Sequence, residues 1–169
     1  MAEEIVYDFA ANACQAGWTS AAGILPCPGR PGDWRGFVQY LDAPDLEDGT
    51  TTLQPGLLTL PQATADAYIR GLYPSIRVQK GDHFKATIAC EQGAATCRII
   101  FRLEYQIGDL PSRVYWAYGK KYDGQPIQVD ADLGLLAGQT VRFGLAVFPL
   151  GGTGDDRAIW VAPRIVSVH

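Results

Sequence analysis

Histidine is almost missing from these 169 residues: His83 stands in a GDHF turn and His169 at the end. A catalytic triad or a metal centre built on imidazoles therefore has almost no raw material. No serine stands in a nucleophile elbow, and the GGTGDD stretch lacks the following helix and lysine that cradle a phosphate. No apolar run approaches the length of a membrane span, so membrane insertion is not expected. Lys and Arg number 14 against 18 Asp and Glu, a net charge of −4, which argues against nucleic acid or an anionic membrane as partner. MAEE has neither the basic start nor the apolar stretch of a signal peptide, so export is expected to depend on a removed leader or a longer parent chain. Helical spacing is confined to Gln62–Tyr68, at most two turns.

What the chain has is alternation. Cys97, Ile99, Phe101, Leu103 and Tyr105 interleave with Arg98, Ile100, Arg102, Glu104 and Gln106, one apolar face and one polar, as in a half-buried strand. Just upstream, Phe84, Ala86, Ile88 and Cys90 interleave with Lys85, Thr87 and Ala89. With the short EQGAAT segment between them, the two runs predict a β-hairpin bridged at its mouth by Cys90 and Cys97. Further strands are expected near residues 5–9, 36–41, 57–60, 75–78, 113–118, 127–133, 141–147 and 157–168. Pro163 in the last must sit at an edge or a bulge, because it cannot donate to a ladder. Residues 17–34 read as a Gly/Pro-rich loop. The expectation is an all-β, antiparallel β-sandwich of the jelly-roll kind, one domain over 1–169, with a loop at 14–34 pinned by a disulfide.

The four cysteines fall into two local pairs, which suggests the disulfides Cys14–Cys27 and Cys90–Cys97. The alternatives are a zinc site of four thiolates, whose usual tight spacing neither pair shows, and four buried thiols. Disulfides in a Gly- and Pro-rich β-domain suit an extracellular or cell-surface location.

From Gly81 to Ile165 the chain resembles carbohydrate-binding modules of the galactose-binding-like jelly-roll type, nearest to the novel carbohydrate-binding module found beside glycosidase domains. The resemblance rests, in order, on GDHFKATIAC, CRIIFRLEYQIGDLPSRVYW, IQVDADLGLLAGQTVRFGLAV and DDRAIWVAPRI. It covers about half the chain, and neither the first eighty residues nor the cysteine pairs belong to its pattern. It implies a jelly roll and a ligand-binding role, with carbohydrate as partner and no particular sugar. Modules of this type often hold a structural calcium, for which Asp45, Glu47 and Asp48 in DLEDG are the candidates, against a reading of them as a solvated turn. Otherwise no cofactor is expected.

Sugar recognition needs an aromatic face for stacking and planar polar groups for hydroxyls. Trp18, Trp34, Trp116, Tyr118 and Tyr122 supply the first, and Arg102 and Glu104 the second. Trp18 and Trp34 have a competing reading as a hydrophobic plug over one end of the sandwich. Trp160 is expected in the core. The expected function is a non-catalytic carbohydrate-binding module. The alternative is a structural subunit of an extracellular filament or surface layer, a homo-oligomer pairing through an edge strand near EIVYDF. A glycoside-active enzyme would need paired carboxylates, such as Glu104 with Asp130 or Asp132 on one sheet surface.

Overall fold

In the computed structural model, which describes residues 3–62, 64, 67–151 and 155–168, the period-two runs become strands. These are β1 (Glu3–Asp8), β2 (Gly17–Ser20), β3 (Gly23–Ile24), β4 (Phe37–Leu41), β5 (Gly56–Leu60) and β6 (Ile69–Arg77). They continue with β7 (Asp82–Cys90), β8 (Arg98–Gln106), β9 (Arg113–Lys121), β10 (Ile127–Asp132), β11 (Thr140–Pro149) and β12 (Ala158–Val168). Two antiparallel sheets result. The first runs β10-β7-β12-β5-β4, with β1 also paired to β12, and the second runs β3-β2-β6-β11-β8-β9. The jelly-roll sandwich expected from alternation is what forms. Helical turns among the described residues are limited to 3-10 segments at Ala13–Gln15 and Gly134–Leu136. The helix expected at 62–68 falls partly on residues 63, 65 and 66, outside the described residues, and Gln62, Thr64, Ala67 and Tyr68 are not helical.

The core lies between the sheets. Phe84, Ile88 and Trp160 from the first meet Ile99, Phe101, Leu103, Phe143 and Leu145 from the second. Phe101 and Trp160 meet edge to face with centroids 5.0 Å apart. Trp160 is thus core, as expected.

The hairpin expected from Phe84 to Tyr105 does not exist. β7 belongs to the first sheet and β8 to the second, so EQGAAT is a crossing between layers. Both strands do turn their apolar residues toward one core, but from opposite sides of it. The Cys90–Cys97 disulfide therefore joins one sheet to the other. Cys14–Cys27 also forms.

Residues 17–34 are not all loop either, since β2 and β3 extend the second sheet from within them. Trp18 is the reason β2 holds. Its ring lies over Gly71 of β6, where a Cβ would stand 2.6 Å from the indole, and its Nε1 donates to the Ala13 carbonyl at 2.8 Å. At the other end of the chain, Pro163 sits where the register breaks between Val161 and Arg164, as a residue without an N–H must. Its free carbonyl accepts from Phe9 N at 2.9 Å, next to β1.

Replacing Cys90 and Cys97 together by serine should lower stability by about 2.5 kcal/mol, from the closure entropy of so short a loop. Denaturant unfolding measures this, and a loss below about 1 kcal/mol would show that the crossing is held by packing alone.

Candidate functional site

Alternation fixes which face each candidate side chain occupies, and the faces separate residues that looked close in sequence. Glu104 lies on the outer face of the second sheet, whereas Asp130 and Asp132 belong to β10 of the first. The paired-carboxylate arrangement is therefore not assembled. Glu104 is buried beneath Arg70, which grips it with Nε at 2.5 Å and Nη2 at 3.1 Å across the intervening strand β11. Gly144, lying under that pair, keeps the path across β11 free of any side chain. Arg102 approaches the same carboxylate at 3.9 Å and lies over the Phe148 ring at 4.1 Å from its centroid. Phe148 in turn stacks on Tyr68 at 5.8 Å. Phe148 continues the strand expected at 141–147, but the sequence does not show that its ring meets Arg102 and Tyr68 on the outer face.

Trp116 and Tyr118 do not share that face. Their register partners are Leu103 and Phe101, so both rings stand on the core-facing side of edge strand β9. There they stack, 6.3 Å apart at 11°, with Tyr118 38% exposed. Tyr122 is half-buried, and its hydroxyl accepts from Gly93 N at 3.1 Å. Trp18 is 1% exposed and closed to any ligand.

Trp34 is the opposite case. It is 68% exposed, on the β3–β4 loop, in a depression of about 650 Å³ that Pro28, Pro31, Asp33 and Arg35 also line. The loop is held firmly. Cys27 ties its start to Cys14, Gly29 N donates to Val38 O of β4 at 2.9 Å, and Gly36 N closes a turn onto Asp33 O at 3.0 Å. Beside the ring, Arg35 forks onto Asp33 with Nε at 3.1 Å and Nη2 at 2.8 Å. Those hydrogen bonds hold the Asp33 carboxyl below its usual range, so both planar groups stay charged near neutrality.

The calcium candidates do not converge. Asp45 accepts from Thr51 Oγ1 at 2.5 Å, and Asp48 from the amide and hydroxyl of Thr50 at 3.0 and 2.6 Å. Glu47 turns inward instead. It accepts from Cys90 N at 2.9 Å, Asp123 N at 2.8 Å and Gly124 N at 3.0 Å, and meets Lys120 Nζ at 2.8 Å. An ammonium and three N–H dipoles occupy the oxygens that a cation would need, so these residues do not fit calcium. Lys120 also reaches Asp123 at 2.6 Å and holds that carboxyl below its usual range.

No family model matches the chain, and no curated protein matches it. Solved structures do. TmCBM61, in complex with β-1,4-galactotriose, aligns with a TM-score of 0.56 at 6% identity, over 98% of this chain and 99% of that one. A CBM51 from a Clostridium perfringens GH95 protein, in complex with methyl-galactose, gives 0.50 at 18% identity over 77% and 88%. CBM51-2 with INT domains of C. perfringens ZmpB, in complex with GlcNAc, gives 0.50 at 13% identity over 74% of this chain, which spans only 25% of that longer one. The chain has the fold of carbohydrate-binding modules. The TmCBM61 alignment takes in the first eighty residues, which lie outside the sequence resemblance.

Within this jelly roll, truncating Glu47 to alanine would leave Lys120, 3% exposed, with Asp123 as its remaining carboxylate. The expected loss is about 3–5 kcal/mol. Urea unfolding decides it, and a loss under about 1 kcal/mol would mean that Lys120 finds water or another partner.

Proposed function

We propose that the chain is a non-catalytic carbohydrate-binding module, acting outside the cell or on its surface, that stacks a sugar ring on Trp34. The observation carrying this reading is the exposure of Trp34 on a loop that disulfide and backbone bonds hold still. An indole ring offers a flat apolar face on which a sugar ring can stack. A rigid loop also spares the ordering cost of binding, so a single ring contact retains more of its value. Beyond their mutual fork, Asp33 keeps free lone pairs and Arg35 its Nη1 donors for hydroxyls at the ring edge. The fold supports the reading, since its neighbours include modules crystallised with galactotriose, methyl-galactose and GlcNAc. Two disulfides support the location.

Calorimetry and affinity electrophoresis against galactan, xylan and GlcNAc-containing glycans test it. The protein should bind at least one of them, and Trp34→Ala should weaken that binding about tenfold or more with the melting temperature unchanged. Flat titrations across the set, or full affinity in Trp34→Ala, would sink the assignment.

A further inference from the structure

The outer face of the second sheet is strongly basic on an acidic chain. Register places Arg70 and Arg77 of β6, Arg98 and Arg102 of β8, Lys121 of β9 and Arg142 of β11 on that face. The strands set one carboxylate among these six cations, Glu104. The face thus carries a net +5 within a chain of net −4, and the remainder carries −9.

Arg70 spends its charge on Glu104. Arg98, Lys121 and Arg77 have no carboxylate partner among the described residues. The acid groups at the Arg98 end are already engaged: Asp123 is held by Lys120, and Asp156 accepts from the backbone N–H of Arg98 at 3.0 Å. At the other end Asp109 shares a depression of about 450 Å³ with Arg142, whose Nη2 is 3.5 Å from the Gly108 carbonyl. At the edge strand β9, Arg98 and Lys121 line a cleft of about 260 Å³, to which Tyr118 contributes from the core-facing side of the strand, together with Leu150 and the Lys120-bound Asp123. An aromatic wall beside two unpaired cations offers a sugar ring a stacking surface and its acidic substituent a counter-charge. Arg102 lies four residues along β8 from Arg98, about 13 Å at the rise of a strand, so the row suits a polymer better than a single ion.

We propose that this face binds an anionic glycan, with Arg98 and Lys121 meeting its acidic groups and Arg102 continuing the row. The shared chemistry is a sugar bearing carboxylates or sulfate esters. The site is separate from Trp34 and does not depend on the function proposed there. Nucleic acid is the less favoured occupant, because solved structures that share this fold were crystallised with sugars.

Affinity electrophoresis in polygalacturonate, dextran sulfate and neutral galactan, with a duplex DNA shift alongside, tests the proposal. The protein should be retarded by one or both acidic polymers; polygalacturonate alone assigns carboxylates, and dextran sulfate alone assigns sulfates. Raising NaCl from about 0.05 to about 0.5 M should weaken that binding about tenfold or more. The double variant Arg98→Gln, Lys121→Gln should weaken it about tenfold with an unchanged melting temperature, while Trp34→Ala stays within about twofold. Galactan binding lost in Trp34→Ala reports on the other site alone. No retardation by either acidic polymer, full binding by the double variant, or a preference for DNA would overturn the proposal.

Discussion

Glu47 is where the two sheets are locked. Its carboxylate, fully buried, collects the amide of Cys90 at the end of β7, the ammonium of Lys120 on β9 and two amides of the turn that follows. One residue of the β4–β5 connection thereby ties the first sheet to the second, beside the disulfide that crosses between the same layers. A buried ion pair of this kind adds little net stability over an apolar substitute, yet it is costly to break, because the surviving partner stays out of water. Its contribution is therefore to hold this connection against both sheets, at a cost felt when either partner is removed. Leu46, the preceding residue, is pressed into a second apolar cluster with Phe37, Leu58, Ile159 and Val161.

That cluster decides which surfaces are left for function. Ala89, Ile159 and Val161 point away from the main core, and the β4–β5 connection covers them. The outer face of the first sheet is in this way partly used up by the protein itself. On the second sheet the outward positions carry Arg and Glu beside Ile100 and Phe148, and Gly144 and Ala146 lie low enough for side chains to span β11 above them. What remains open is this face, the Trp34 loop, and the β9 edge where Trp116 and Tyr118 stack.

Alternation made the strands legible and left their partners unread. A period of two states which residues share a face, and Ile99, Phe101 and Leu103 do face the core. It is silent on whether the strand before lies alongside or across the core, since both place apolar residues on the same interior. Two cysteines at the ends of EQGAAT fit either arrangement, so a hairpin and a crossing look alike in the sequence. The same silence misplaced Glu104 with Asp130, and Arg102 with Trp116. Trp18 failed for another reason. Its burial depends on Gly71, over fifty residues away, and nothing local to GWTS announces that vacancy. For Trp34 the sequence leaves a plug and a binding face equally open, and only the fold, which gives its ring no covering partner, leaves it 68% exposed.

Overall charge says less than the charge of each face. A net of −4 weighs against anionic partners when charge is spread evenly, but a sheet sorts residues by parity, and parity sorts charge with them. Every second residue of a strand meets the same medium, so five arginines and a lysine scattered from residue 70 to 142 arrive on one surface. The acidic residues sit mainly in connections and on the other sheet, where Asp130 approaches Lys85 and Asp48 caps a turn. At physiological salt the screening length is about 8 Å, shorter than the separation of such surfaces, so each face presents its own potential rather than the chain's average. For a sandwich, the charge of a face read in register is the quantity that bears on partners.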